Sequence, residues 1–407
     1  MPHDQFDTSQ PWPAGLDSLM YELYDILVQC DALTDFNEAM NTALSSGVKD
    51  LSDLKISSAS DYLWFMSDLL KWIPIENKDG TWVYTHLVVF YWIFNLSPLR
   101  ENTRAQTQII PQNVGVQKPV TAWLVKYAIK MGEFMSTTDS WPPGSLETFE
   151  RAANYNVQWY QGPWTTFNDF FSRHLKVPRQ IAGPGNDKVI VSPADCTYKS
   201  EMVPVDKNSD INVKGMLWNI DELLSDSGYL QGGEFAGGLF VHAFLNTYDY
   251  HRQHAPCSGI VREALVVNAQ CYLQVIQETD PEGGAPRLRP VRPIPPPGSA
   301  DEFKSLDAPD ATGYQFLQSR GIIILENEHL GLVGVLPVGM AQVSSVKTKL
   351  TDNVGKSINK GDEISWFELG GSDIIMVFQE KAKVSLTVDP KQGPHMLQGQ
   401  QVIQADY

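Results

Sequence analysis

The chain has 407 residues, 43% hydrophobic and 19% charged, with 31 basic against 48 acidic side chains and a formal net charge of −17. That is enough chain for two or three domains around a large core. The acidic balance argues against a nucleic-acid ligand and against general tethering to anionic lipid.

The opening, MPHDQFDTSQPWPAG, is polar and carries no charged-then-apolar targeting pattern. Cys30, Cys196, Cys257 and Cys271 form no C-x-x-C pair and no metal spacing. Together these suggest a reducing, cytoplasmic setting. Residues 1–160 read as helical. LDSLMYELYDILVQC, DYLWFMSDLLKWI and VTAWLVKYAIKMGEFM each repeat apolar residues at helical spacing. The strongest apolar run, Leu87–Phe94, is far shorter than the ~20 residues of a membrane span, so it reads as a buried core helix and no stable membrane insertion is expected. His86 in the same stretch reads as a packing histidine. SWPPGSLETFERAANYN looks like a helix start with Ser145 as its cap.

From about residue 185 the character changes to short β-like segments: KVIVSPAD, GGLFVHAFL, GIVREALVV, CYLQVIQ, RGIIILEN, LGLVGVLPVG, QVSSVKTKL and AKVSLTV. They predict an antiparallel β core. Residues 278–313, rich in proline and glycine and without apolar period, read as a long loop or partly disordered insertion. Its RPIPPPG could dock an SH3 or WW module, although a plain surface loop is the simpler reading. The expected class is α+β, with a helical N-terminal domain, 1–160, and a β-rich domain, 161–407. ISWFELGGSDIIMVFQ, residues 364–379, reads as a strand with Gly370, Gly371 and Ser372 inside it. Glycine weakens a strand and marks a bulge or a close backbone approach.

Three polar sites stand out in the second half: Asp195 in VSPADCT, His251 and His254 in DYHRQHAP, and Ser372 in LGGSD. An acid, a base and a hydroxyl allow nucleophilic chemistry, but each piece has a plainer alternative. Asp195 could cap a turn. The two histidines lack a third ligand at zinc spacing, so no metal is expected. LGGSD is not the G-x-S-x-G elbow, and GGEFAGG lacks the ending of a P-loop. On residues alone, a Ser/His/Asp hydrolase and a non-catalytic binding module both stay open.

Five stretches in order, TFNDFFSRHLKVPR (166–179), VSPADCT (191–197), DYHRQHAPCSG (249–259), VLPVGMAQVSS (335–345) and NKGDEISWFELGGS (359–372), resemble the phosphatidylserine decarboxylase family of pyruvoyl enzymes. The resemblance implies that the chain cuts itself between Gly371 and Ser372, leaving chains 1–371 and 372–407 that stay associated. Ser372 would attack the Gly371 carbonyl and become a self-generated pyruvoyl group, so that no pyridoxal phosphate is needed. His254 would be the base, Asp195 would orient it, and His251 would donate the proton that replaces CO2. Substrate amine would be held as a Schiff base. Cys196 stands where the family has glycine, and Asp373 where it has Thr or Ser; Leu245-Asn246-Thr247 and VGMAQVSS also depart from the common pattern. The last two features, with the helical N-terminal region, resemble the fungal branch typified by L-tryptophan decarboxylase. The implied substrate is a free aromatic amino acid such as tryptophan, with phosphatidylserine as the alternative. A homo-oligomer is compatible with all of this.

Overall fold

The computed structural model describes residues 12–100, 115–213, 216–271, 273–279, 283–291, 316–339 and 346–407. The polar start, most of the 278–313 insertion and the 340–345 part of the fourth motif lie outside the described residues. The structure is α+β.

The N-terminal third is a layer of helices. Ser18–Gln29 starts on Asp17, whose carboxylate accepts the Leu19 N–H at 3.0 Å, and buries Leu19, Met20, Leu23 and Leu27. Ala59–Asp68 begins with a capping box between Ser58 and Asp61. Trp82–Trp92 is buried nearly all round and carries the apolar run. His86 packs there, its Nδ1 on the Trp82 carbonyl at 2.8 Å and its ring stacked 4.1 Å from Trp72. Pro119–Met135 sends Trp123 and Tyr127 against Phe90. A further helix, Leu33–Ser45, lies within the region read as helical; its buried stripe is built largely from Phe36, Ala39, Met40 and Ala43 amid polar residues. Gly144 rather than Ser145 caps the Ser145–Glu150 helix. The turn after Pro142-Pro143 needs φ +92°, which glycine adopts without steric cost. The helical character continues to a short segment, Phe167–Phe171.

The second half is dominated by a nine-stranded antiparallel sheet. From one edge it runs Ser357–Ile358, Gly259–Val267, Arg320–Asn327, Gly331–Gly339, Gly371–Phe378, Leu239–Phe244, Cys196–Thr197, His395–Met396; Val203–Pro204 also pairs with Leu239–Phe244. Both faces are covered. Ile374, Met376, Phe378, Val241 and Val335 join one hydrophobic core that continues without a break into the helical layer. Ile375, Val377, Phe240, Leu336 and Val338 join a second core capped by Trp218, Ile220, Leu223 and Phe235. Arg287–Val291, expected as loop, is a strand paired with Gln274–Glu278. Asp50 of the helical layer fixes it, accepting the Leu288 N–H at 2.7 Å and pairing with Arg287 at 3.0 Å.

Candidate active site

The single strand expected over 364–379 is two strands in two sheets. Glu363–Phe367 lies between Val346–Thr348 and Arg252–His254 in a three-stranded sheet. The chain then turns through Gly370, at φ +106°, and enters the centre of the large sheet as Gly371–Phe378. Only glycine takes that φ at no steric cost. A bulge follows at once: Val338 pairs with Asp373 but Gly339 pairs with Gly371. Ser372 is therefore the extra residue, without a partner opposite it on that strand.

His254 sits on the strand beside Glu363–Phe367 and His251 just before it, with Glu363 opposite His254 and Trp366 opposite Arg252. His254 Nδ1 lies 2.7 Å from the Gly361 carbonyl, and its Nε2 lies 3.0 Å from the Tyr250 hydroxyl. A carbonyl only accepts, so Nδ1 carries the proton and Nε2 presents its lone pair. Burial lowers the His254 pKa below the ordinary histidine value, against the raising effect of that carbonyl. His254 is thus held neutral, with Nε2 as its accepting nitrogen.

Asp195 is not the group that orients it. Its carboxylate forms a two-pronged pair with Arg179, Nη2 to Oδ2 at 2.8 Å, and accepts the Gln398 N–H at 2.8 Å. Both ring nitrogens of His254 are already taken, which leaves Asp195 no direct bond to it. The two are linked at one remove: the Arg179 guanidinium lies 5.4 Å from the Tyr250 ring centre, and Tyr250 holds His254.

His251 is fully buried, stacked 4.0 Å from Phe171 and edge-on to Phe367. Among the described residues neither ring nitrogen makes a hydrogen bond of good geometry, although the Phe171 and Asn246 backbones lie near enough to favour its protonated form slightly. Burial and the nearby Arg173 charge push its pKa down to about 3. A fully buried imidazole held only by such weak backbone contacts, with its pKa so strongly lowered, is a functional candidate.

The motifs are bonded to one another. Arg252 Nε donates to the Ser172 carbonyl at 2.6 Å, and its Nη1 pairs with Glu363 at 3.0 Å. Arg173, fully buried, donates to the Tyr248 and Asp249 carbonyls and lies 4.3 Å over the Tyr160 ring. Asn168 accepts the Leu369 N–H at 3.1 Å, and the His254 N–H bonds the Pro193 carbonyl at 2.7 Å. Arg173, Arg179 and Tyr250 were missed as separate site residues, although all three fall within the quoted motifs. Buried arginines were the available signal.

Beside the Arg179–Asp195 pair lies a cleft of about 540 Å³, walled by Trp159, Leu175, Val177, Leu397 and the amides of Gln158 and Gln398. Among the described residues no cluster of three His, Cys, Asp or Glu side chains is placed to hold a metal, and no helix is long and apolar enough to cross a membrane. Cys196 is buried with its thiol pushed up to about 12, bonded to Ser192 in a small polar knot.

Residues 167–404, more than half of the chain, match the family model described as phosphatidylserine decarboxylase. Among similar proteins, the decarboxylase iboD of Amanita muscaria is 24% identical over 236 residues, 57% of this chain and 63% of its own length. A phosphatidylserine decarboxylase proenzyme of Hamiltonella defensa is 26% identical over 242 residues, covering 54% and 73%. The L-tryptophan decarboxylase of Psilocybe cubensis is 24% identical over 233 residues, covering 55% and 48%. The chain thus spans under two thirds of the Amanita protein and about half of the Psilocybe one. With motifs, fold and family model in register over the same residues, the chain belongs to the phosphatidylserine decarboxylase family.

Proposed function

We propose that this chain is a self-processing decarboxylase acting on an α-amino acid, with Ser372 as the source of its pyruvoyl group. The observation that carries the reading is the mutual bonding of the motif segments around the Gly370 turn and the Ser372 bulge. The residues present fit such a group: a serine alone in a bulge, glycines before it, a neutral histidine able to accept a proton, and a second, fully buried imidazole.

Formation of the group uses only the chain's own atoms and water. Ser372 Oγ attacks the Gly371 carbonyl carbon, its proton passing to His254 Nε2. The Gly371–Ser372 amide bond breaks, the released nitrogen takes a proton, and an ester remains. Loss of the Ser372 α-proton then expels the Gly371 carboxylate, and water displaces ammonia from the dehydrated residue. A base with its tautomer fixed suits the first step, the Tyr250 hydroxyl giving up the Nε2 lone pair to the Ser372 proton. Once formed, the pyruvoyl group supplies the electron-withdrawing carbonyl on which CO2 is lost. His251 is neutral in this uncleaved chain; as the proposed donor it first takes up a proton from solvent and then passes it to the substrate α-carbon, returning to the neutral form. Asp195 acts through Arg179 and Tyr250 as a positioning residue.

For substrate we favour a free amino acid, aromatic and most simply tryptophan. The net charge of −17 disfavours approach to an anionic lipid surface, and the cleft beside Arg179 offers an indole-sized apolar wall with amide groups. A lipid substrate is the second reading, favoured by Trp159 and Val177, which stand 45% and 74% exposed on that cleft.

The test is a denaturing gel of wild type and Ser372→Ala, followed by CO2 release from free amino acids and from phosphatidylserine vesicles. Wild type should give two chains, and the variant one uncut, inactive chain. An active wild type of full length would overturn the proposal. Release from vesicles alone would keep the chemistry and replace the substrate.

A further inference from the structure

Asp373 follows Ser372 directly and is fully buried, as is His242 on the neighbouring Leu239–Phe244 strand. Their side chains meet directly, His242 Nε2 to Asp373 Oδ2 at 3.2 Å. The pair lies on the sheet face that carries Ile375, Val377, Phe240 and Val338, an otherwise apolar layer. Burying two ionisable groups costs desolvation that their mutual contact barely repays, so such a pair is weak evidence of a stability role. Its best-attested use is to fix register.

The apolar pattern of this strand does little by itself to specify its register. Where one face of a strand is polar, a one-residue slip would expose its apolar set, and the pattern itself forbids the slip. Here Ile374, Met376 and Phe378 face one core while Ile375 and Val377 face the other. Both faces are buried and both are apolar, so a slip exchanges one apolar set for another. The Asp373 carboxylate breaks that symmetry. Slipped by one residue, it would face the opposite core, away from His242. Held where it is, Asp373 pairs with Val338 and Phe244, and the single extra residue of the bulge falls on Ser372.

We propose that the buried Asp373–His242 pair is a register lock that sets Ser372 as the bulged residue and so positions the Gly371–Ser372 bond for cutting. Both are positioning residues. After the cut, the same pair would hold the second residue of the small chain, and with it the new terminus, on the Leu239–Phe244 strand. The proposal rests on the self-cleavage reading above only for its chemical consequence; the lock itself is a statement about strand pairing.

The experiment uses the full chain in four forms: wild type, Asp373→Leu with His242→Leu, Asp373→Asn, and the exchanged pair Asp373→His with His242→Asp. Cutting is followed by intact mass, and pairing by amide exchange over residues 371–378. Replacing both partners by apolar residues spares the fold the penalty of an unpaired charge, so the double leucine variant should remain folded. It should cut about 100-fold more slowly, the loss expected for a displacement on the order of 1 Å at reacting atoms, and should lose amide protection at 371–374. The exchanged pair should recover both, and Asp373→Asn, which keeps a hydrogen-bonding group, should fall between. A folded double leucine variant that cuts at the wild-type rate and bond overturns the proposal. If wild type itself stays uncut, the self-cleavage reading fails on its own, and amide exchange decides the lock: unchanged protection in the leucine variant overturns it, and lost protection restored by the exchanged pair supports it.

Discussion

At His254 the role given to a carboxylate falls to the backbone. The Gly361 carbonyl fixes Nδ1–H, the Tyr250 hydroxyl meets Nε2, and burial keeps the ring neutral near pH 7. The cleavage rate should therefore be level above about pH 6.5, the ordinary histidine value, and fall as pH drops below the lowered folded value of His254. A rate rising toward acid pH would contradict this assignment. His251 makes a stability prediction. Its folded pKa, about 3, lies below the unfolded one, so between about 3 and 6.5 the unfolded chain binds more protons. Its contribution is present above the unfolded value and is lost as pH falls, with a slope of up to ~1.4 kcal/mol per pH unit. Urea melts of His251→Phe, which keeps the stack on Phe171, should show that much less acid sensitivity than wild type. Asp195→Ala should cost about 3 kcal/mol, because it strands the Arg179 guanidinium with 15% of its side chain exposed. Asp195→Asn should recover part of that loss. The identity of these residues was legible from motif order, but their partners were not. Asp195 and His254 are close in the fold yet spend their bonds on Arg179, Gln398, Gly361 and Tyr250, and spacing along a chain carries no record of which neighbour takes which lone pair.

Among the elements, hydrophobic period found the long helices and most strands because their buried faces repeat in short windows. It failed where the faces are unusual. Arg287–Val291 lies in a stretch rich in proline and glycine and is fixed through Asp50, far away in sequence. The stretch from Ile364 to Gln379 looks continuous because both its halves are apolar and β-branched. The break at Gly370 is a matter of φ, which residue names signal only as permission. Gly370→Ala would place a side chain at φ +106°, a strain of ~1–3 kcal/mol. We expect a lower melting temperature and slower cutting, measured by thermal scan and by intact mass over time. An unchanged rate would show that the turn does not control the scissile bond.

Over the whole molecule the helical layer and the sheet share one core. Phe90, Trp123 and Tyr127 belong to the same buried cluster as Val241, Val335 and Ile374, and Asn95 reaches across to the Leu273 carbonyl at 2.9 Å. Residues 1–160, expected as a domain, should therefore melt together with the rest. Calorimetry should give one transition, and two well-separated transitions would refute a common core. Removal of residues 1–160 should leave an insoluble remainder, since one face of the sheet would lose its cover. What composition foretold at this scale was the α+β class and the large core; it could not show that the two parts are fused, because fusion depends on long-range contacts.

The central claim is that the Gly371–Ser372 bond is built to break, and the intact mass of the purified chain tests it most directly. The account predicts two masses, for residues 1–371 and 372–407, the smaller lighter by one ammonia than a chain starting with serine. A single mass for residues 1–407, in protein that releases CO2 from an amino acid, would contradict it.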